Sequence, residues 1–149
     1  MEWIILAVVS WILFLVLVDW RTLGRNIWCG LAAVLLQILV DNTGISHGLY
    51  EIRKCNLCIV HSSSMFTFGP VLVVGILTAQ YYPKTKALKI ISVGVLAILY
   101  TLQEILLLAR ENVVYTNWHM TDSIGVNLMA MIIINWFAII IFNKNGEEG

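Results

Sequence analysis

The residue best placed to support chemistry is Glu104, an acid inside the long apolar run 90–109. It lies six residues before Arg110, which corresponds to roughly 9 Å along a helix and would place the carboxyl group below a membrane interface. A carboxylate in a bilayer is costly unless it is paired, protonated or in contact with water, so Glu104 is a candidate functional residue. The simpler alternative is that Glu104 only joins helices, by bonding to Gln103, Asn127 or Arg110.

Other polar residues are expected at a similar depth, near the ends of neighbouring apolar runs or in the loops beside them. They could form a polar pocket near the outer leaflet of the membrane, with Asp41, Glu104, His119 and Asp122 at its centre. No triad, phosphate loop or carboxylate pair has a diagnostic spacing, so catalytic residues are not assigned. The predicted binding set is Gln37, Asp41, His47, Gln103, Glu104, His119, Asp122 and Asn127.

A second group of possible chemical interest is the Cys-x-x-Cys formed by Cys55 and Cys58, followed by His61. With His47 and His119, these residues could provide thiolate and imidazole ligands for zinc. Structural zinc sites usually contain two such pairs, and only one is present here. A disulfide or two free thiols are the favoured interpretation, and no metal site is predicted.

The composition indicates that lipid is the solvent of this chain. Hydrophobic residues make up 60% of its 149 residues, charged residues only 12%, and the mean hydropathy is +0.87. Soluble domains contain about 25% charged residues. The formal net charge is zero, so nothing indicates nucleic acid as a partner, and no cofactor is implied. The expected partners are the lipid bilayer and either a second copy of the chain or a larger membrane protein.

The hydropathy pattern predicts an all-α integral membrane protein, a single domain over residues 1–149 with no visible repeat. Two of the apolar runs are shorter than the roughly 20 residues that a helical span needs, so four spans are the alternative to five. The outer loops are expected at 41–64 and 110–123. The predicted transmembrane helices are 3–18, 27–40, 65–82, 90–109 and 124–142.

The distribution of lysine and arginine predicts the orientation. Positive residues concentrate in cytoplasmic loops, so the side with more of them is assigned to the cytoplasm. This assignment places the N-terminus outside and the C-terminus in the cytoplasm of a multi-pass plasma membrane protein. The richer side has Arg21, Arg25, Lys84, Lys86, Lys89 and Lys144, and the other side has Arg53, Lys54 and Arg110.

Three short motifs relate the chain to a known family. Asp19-Trp20-Arg21 follows the first predicted span, Gly48-Leu49-Tyr50 follows the second, and Tyr81-Tyr82-Pro83 closes the third. With five spans, this plan resembles an uncharacterised family of small multi-pass membrane proteins from spore-forming Firmicutes. The resemblance implies a bacterial plasma membrane and no particular activity.

A more distant resemblance connects the chain with the membrane-embedded lycopene cyclase domain. It rests on Asp41 at the end of one span, the Gly-x-Tyr segment 48–50 and Glu104 in a later span. That domain has paired glutamates after a proline, whereas here Gln103 stands beside a single glutamate. The resemblance implies an enzymatic alternative.

Three functional hypotheses follow from these residues. The first is a non-enzymatic sensor, ligand-binding protein or accessory subunit with the polar pocket described above. The second is a membrane enzyme that acts on a lipid or isoprenoid, with Glu104 as general acid and His47 or His119 as base. The third is an ion-coupled carrier in which Glu104 takes up and releases a proton.

Overall fold

The computed structural model describes residues 2–53, 58–59, 62–83 and 85–146 and has a mainly helical fold. Its five helices are α1 (Glu2–Leu17), α2 (Leu23–Ser46), α3 (Ser64–Gln80), α4 (Lys86–Ala109) and α5 (Met120–Gly146). Within α3, the stretch Thr67–Val71 around Pro70 is a π-helix. Helices α2, α4 and α5 are long and apolar enough to cross a membrane, and α1 and α3 are shorter apolar helices.

The all-α prediction is incomplete, because the connections at one end of the bundle contain short strands. These are β1 (Tyr50–Ile52), β2 (Cys58–Ile59), β3 (Ser62–Ser63) and β4 (Val113–Tyr115). Strand β1 pairs antiparallel with β4, and β2 pairs antiparallel with β3. The first pair joins the two regions that were predicted to be separate outer loops. We call the β1–β4 pair the cap.

Helix α2 differs most from its predicted range, because it extends well beyond 27–40 in both directions. Asn26 and Asp41 lie in the added turns, and both are buried. A prediction from hydropathy places the end of a helix at the first polar residues. Here the side chains of Asn26 and Asp41 face the bundle interior, and the helix continues through both positions. Asp41 therefore belongs to a helix and not to a loop.

The bundle is apolar outside and partly polar inside. Large apolar side chains are exposed along α1, α4 and α5, for example Val16 at 75%, Ile90 at 74% and Met129 at 67%. Asn26 and Ser62 are almost completely buried. Apolar surface of this extent is unusual for a soluble monomer and fits helices that contact lipid.

Helices α2 and α3 approach each other closely at two glycines. A Cβ atom on Gly75 would lie 2.7 Å from the Cα of Gly30 and 2.9 Å from the Cβ of Ala33. Such contacts are shorter than van der Waals distances, so only glycine allows the two backbones to come this near. The close packing holds α3 in place although it is short.

Contacts at the two ends show that successive helices alternate in direction. At one end, Trp3 of α1 packs in a cluster with Tyr50, Leu107 and Val113. At the opposite end, the carbonyl oxygen of Leu17 accepts hydrogen bonds from the side chains of Gln80 and Tyr81. The cap therefore covers the end of the bundle at which α1, α3 and α5 begin and α2 and α4 end.

The chain from α1 to β4 consists of two units with the same order and spacing of elements. The first unit contains α1, α2 and β1, and the second contains α3, α4 and β4; α2 and α4 both have 24 residues. Few residues at matching positions are identical, so the repeat is not visible in the sequence. Matching positions are 63 residues apart, as in the pairs Leu17 and Gln80, Leu23 and Lys86, Ser46 and Ala109, and Tyr50 and Val113.

Both long helices of the repeat end in the same backbone motif. After α2, the N–H of Gly48 bonds to the carbonyl of Ile45 and the N–H of Leu49 to that of Gly44. After α4, Glu111 and Asn112 make the corresponding bonds. This is the Schellman pattern, which needs a left-handed residue after the helix: Gly48 has φ +67° and Glu111 has φ +56°. The motif turns each chain sharply into its strand of the cap.

Candidate functional site

An internal cavity of about 100 Å³ lies beneath the cap. Tyr50 and Ile52 of β1 and Val113 of β4 form part of its wall, so the cap closes this end of it. Aromatic and polar side chains share the remaining lining with aliphatic ones. The aromatic residues are Trp3, Tyr50, Phe66, Tyr100 and Trp118, and the polar ones are Gln37, Asp41, Ser63, Glu104, Ser123 and Asn127.

Asp41 reaches the cavity from α2 and accepts hydrogen bonds from three neutral groups. Its Oδ1 accepts from Gln37 Nε2 at 3.0 Å and from the Tyr50 hydroxyl at 2.8 Å. Its Oδ2 accepts from the Ser62 hydroxyl at 2.6 Å. Gln37 is one helical turn before Asp41 in α2, whereas Tyr50 and Ser62 come from the strands.

Glu104 reaches the same cavity from α4 and is held in a similar way. Its Oε1 accepts from the Tyr115 hydroxyl at 2.6 Å and from the Ser123 hydroxyl at 2.7 Å, and its Oε2 accepts from Asn127 Nδ2 at 3.1 Å. The indole N–H of Trp118 donates to Ser123 Oγ at 2.5 Å. Helix α5 therefore contributes two of the three donors to this carboxyl group.

Local backbone geometry explains how Tyr50 reaches Asp41. A Cβ atom on Gly44 would overlap the ring of Tyr50, so the missing side chain leaves space for that ring one turn after Asp41. The left-handed residue Gly48 then reverses the chain direction, and β1 places Tyr50 beside the end of α2.

The two acids occupy matching positions in the two units of the repeat. Asp41 lies seven residues before the left-handed Gly48, and Glu104 lies seven residues before the left-handed Glu111. Each accepts a hydrogen bond from the tyrosine of its own unit's strand, and these tyrosines face each other in the cap. Other matching positions that line the cavity are the pairs Trp3 and Phe66, Gln37 and Tyr100, and Tyr50 and Val113.

The ionisable side chains that line the cavity are acids and tyrosines. Within the described part of the chain, no lysine, arginine or histidine lines it. Burial, followed by the charge and hydrogen bond of Asp41 and the charge of Glu104, raises the pKa of Tyr50 above its usual range. Burial and the hydrogen bond to Glu104 likewise raise the pKa of Tyr115. Both phenols therefore remain neutral hydrogen-bond donors at physiological pH.

Four of the eight residues in the predicted binding set line the cavity, namely Gln37, Asp41, Glu104 and Asn127. The other four lie elsewhere. His47 is exposed, with Nδ1 2.8 Å from the carbonyl oxygen of Thr43. His119 and Asp122 form an exposed pair with 3.6 Å between Nδ1 and Oδ2. Gln103 faces a separate apolar groove between α1 and α4.

Two of the six donors to the acids, Gln37 and Asn127, belong to the predicted binding set, whereas the sequence did not single out the other four, Tyr50, Ser62, Tyr115 and Ser123. Tyr50, Tyr115 and Trp118 are equally typical of membrane-interface anchors, and Ser62 of a residue before a helix. The contacts of Tyr50 with Asp41 and of Tyr115 with Glu104 depend on how the strands pair, and the Trp118 indole N–H donates to Ser123. The only local sequence signal is the small residue Gly44 between Asp41 and Tyr50.

Comparisons with known proteins supply no relative for this arrangement. No protein-family model matches the chain, and no curated protein or solved structure matches it. The resemblance to the small membrane proteins of spore-forming Firmicutes therefore stays a prediction, and the geometry of the cavity is the only basis for a functional proposal.

The cysteine motif lies at the edge of the described structure. Cys58 is disulfide-bonded, so its sulfur is not a thiolate that could bind zinc. Cys55 and His61 of the same motif lie outside the described residues. Among the residues that are described, no group of three or more His, Cys, Asp or Glu side chains could hold a metal ion.

Proposed function

We propose that this protein is a multi-pass membrane protein that binds a small polar ligand in the cavity beneath the cap, as a sensor or as the ligand-binding subunit of a larger assembly. The observation that carries the proposal is the cavity beneath the cap, which two acids from matching positions line. A polar, hydrogen-bonded cavity inside an apolar bundle is expensive to maintain. Ligand sites are typically pockets of this kind, with a few converging polar groups in a largely apolar lining.

The exposed apolar surface supports a bilayer as the environment of all five helices. Helices α2, α4 and α5 are long enough to cross it. Helices α1 and α3, with 16 residues in α1 and 17 in Ser64–Gln80, are about 24–26 Å long, compared with a hydrocarbon core of about 30 Å. Flanking residues or local thinning of the bilayer would compensate for this difference. With five crossings, the orientation predicted from lysine and arginine would place the cap outside the cell.

Accessibility of introduced cysteines in intact cells tests this topology. A membrane-impermeant maleimide is expected to label a cysteine at the exposed position Glu51 of the cap and not one at Lys86 at the opposite end. The reverse pattern would place the cap in the cytoplasm, and labelling of both positions would contradict a crossing between them.

The ligand proposal is tested by identifying what the protein retains on purification. Small molecules released by denaturing the wild-type protein are compared, by mass spectrometry, with those from Ala130→Leu, which fills the cavity. Ala87→Leu, at an exposed position of α4, is the matched control. A compound present with wild type and Ala87→Leu and lost with Ala130→Leu would support the proposal. If no compound is retained and none of a broad panel of small molecules stabilises the wild type, the proposal fails.

A carrier is the second candidate, and the repeat is the observation that favours it. Transporters are often built from repeated units, with the substrate site at the interface between them. Uptake of the retained compound into vesicles that contain the purified protein would separate a carrier from a sensor. A reaction on a lipid has less support, since His47 and His119, the predicted bases, lie outside the cavity lining.

A further inference from the structure

We propose that the ligand is a compact organic cation with at least two N–H groups, of the size of methylammonium or guanidinium, bound between Asp41 and Glu104. This inference rests on the proposed function and names the class of ligand for that site. Four features of the cavity support it: its charge, the unused acceptor positions of the two acids, its size and its aromatic lining.

The charge of the lining favours a cation. Asp41 is only 5% exposed, and the donors to both acids are neutral hydroxyl and amide groups. Hydrogen bonds from neutral groups do not cancel a negative charge, and an uncompensated carboxylate in a low-dielectric interior is strongly unfavourable. A bound proton or a bound cation removes this cost, and the cavity provides the space for a cation.

Among the described residues, the hydrogen bonds leave one acceptor position on each acid. A carboxylate has about four lone-pair positions, two on each oxygen. Oδ1 of Asp41 and Oε1 of Glu104 each accept two hydrogen bonds, whereas Oδ2 and Oε2 each accept one. A ligand that donates one N–H to Asp41 Oδ2 and one to Glu104 Oε2 would complete both acids.

Two further polar groups in the lining lack partners. The indole N–H of Trp3 and the hydroxyl of Ser63 are buried, each residue being 1% exposed, and neither has a hydrogen-bond partner among the described residues. Buried polar groups are rarely left unpaired, and a polar ligand in the cavity would supply partners for these two. The Ser63 oxygen can accept a third N–H of the ligand, and the Trp3 N–H can donate to a water molecule beside it.

Size and aromatic lining restrict the ligand further. The cavity of about 100 Å³ is smaller than an engineered protein cavity of about 150 Å³ that accommodates benzene. Trp3, Tyr50, Phe66, Tyr100 and Trp118 line it, and the faces of aromatic rings attract organic cations. A Ca²⁺ ion would need six to eight oxygen ligands, more than the free acceptor positions on these two acids provide.

The test measures the thermal stability of the purified protein in nanodiscs of zwitterionic lipid as cations are added at constant ionic strength. Methylammonium and guanidinium are compared with tetramethylammonium, which has no N–H, with neutral acetamide, and with K⁺ and Ca²⁺. We expect a saturable increase in Tm with methylammonium and with low concentrations of guanidinium, and none with the other four.

The variants Asp41→Asn and Glu104→Gln keep the shape of each side chain and remove its charge. Each is expected to weaken methylammonium binding about tenfold or more, because charge-assisted hydrogen bonds are roughly twice as strong as neutral ones. Glu51→Gln, which removes an exposed acid on the outer side of the cap, is expected to leave the affinity unchanged.

The outcomes separate this inference from the proposed function. Stabilisation by acetamide, K⁺ or Ca²⁺ in place of the N–H cations, lost in Ala130→Leu, would refute the inference of an organic N–H cation and leave the binding function standing. Equal stabilisation by methylammonium and tetramethylammonium would refute the requirement for N–H groups. No stabilisation by any of the six compounds would also refute the inference. This comparison uses only the wild-type protein, so a misfolded variant cannot explain the result.

Discussion

Asp41 and Glu104 project from helices, but each accepts a hydrogen bond from a tyrosine on a strand of the cap. The phenol and the acid are therefore in contact only when the cap is formed. Because hydrogen bonds to charged acceptors are the stronger ones, Tyr50 and Tyr115 link the order of the cap to the charge state of the cavity.

We expect Tyr115→Phe to destabilise the protein by about 1–3 kcal/mol, since it removes a donor to Glu104 in a partly buried site. Reversible unfolding in a denaturing detergent, followed by circular dichroism, measures this change. Tyr81→Phe is the control, because the Tyr81 hydroxyl donates to a neutral carbonyl at the exposed opposite end and is expected to contribute less. An equal loss in both variants would contradict a special role for the Glu104 contact.

The raised pKa values of Tyr50 and Tyr115 predict how the protein responds to alkali. Their pKa in the folded state is above the unfolded value of about 10, so the stabilisation from keeping these phenols neutral is complete below about pH 10 and is lost as the pH rises above it. At about pH 11, we expect the tyrosinate absorbance of the folded wild type to equal that of the Tyr50→Phe/Tyr115→Phe variant. A lower absorbance in the folded variant would show that these two phenols ionise normally.

At the level of secondary structure, the cavity is formed by a helix, Schellman turn and strand that occur twice in the chain. In both units, the helix presents an acid two turns before its left-handed residue, and the strand then folds back over the helix end. The antiparallel pairing of β1 with β4 joins the two helix–turn–strand units. The cavity is the space that remains between them.

Gly48→Ala tests the role of the Schellman turn. A side chain at φ +67° costs about 1–2 kcal/mol in backbone energy, so this variant is expected to lose about that much stability. Gly24→Ala, within α2 and with no atom within 4 Å of the new methyl group, is expected to be neutral or stabilising by up to about 1 kcal/mol. The unfolding midpoint should thus fall in Gly48→Ala and should not fall in Gly24→Ala, and an equal decrease in both variants would contradict the assignment of the turn.

At the scale of the whole molecule, the cap connects two halves that otherwise meet through the packing of helices. Helix α3 packs closely on α2 of the first unit, and α5 packs on both α4 and α2. The cap closes the cavity at the end where the helices alone would leave it open. We therefore expect that a ligand entering from this side requires the β1–β4 pair to separate.

A disulfide across the cap tests this gating role. Glu51 and Val114 are directly opposite in β1 and β4, and opposed Cα atoms in antiparallel strands lie about 4.5–5.5 Å apart, within the range for a disulfide. Glu51→Cys/Val114→Cys is expected to cross-link on oxidation and to slow the exchange of a cavity ligand, with recovery on reduction.

The control for the cross-link is Glu51→Cys/Val113→Cys, whose thiols point to opposite faces of the sheet and should not join. Free-thiol counts with a maleimide reveal which pairs have reacted. Cross-linking without any change in the rate of ligand exchange would show that the ligand enters by another route.

Hydropathy alone was sufficient to predict a helical bundle and the approximate place of each helix. Long apolar runs are determined by local composition, and the helices at 86–109 and 120–146 contain the predicted runs 90–109 and 124–142. The polar residues of α2 were predicted less well. Hydropathy averages over all faces of a helix and cannot distinguish a buried Asp41 from one in a loop.

The sequence by itself determined which side chains could carry charge inside an apolar chain, and Glu104 and Asp41 were among them. Tertiary structure decided which of the predicted residues share a site, because helix rotation and strand pairing depend on contacts between residues far apart in the chain. Rotation turned Gln103 away from its neighbour Glu104, and the pairing of β1 with β4 brought Tyr50 and Tyr115 over the cavity. The repeat also became visible only in three dimensions, since many different apolar residues satisfy the same helix length and packing.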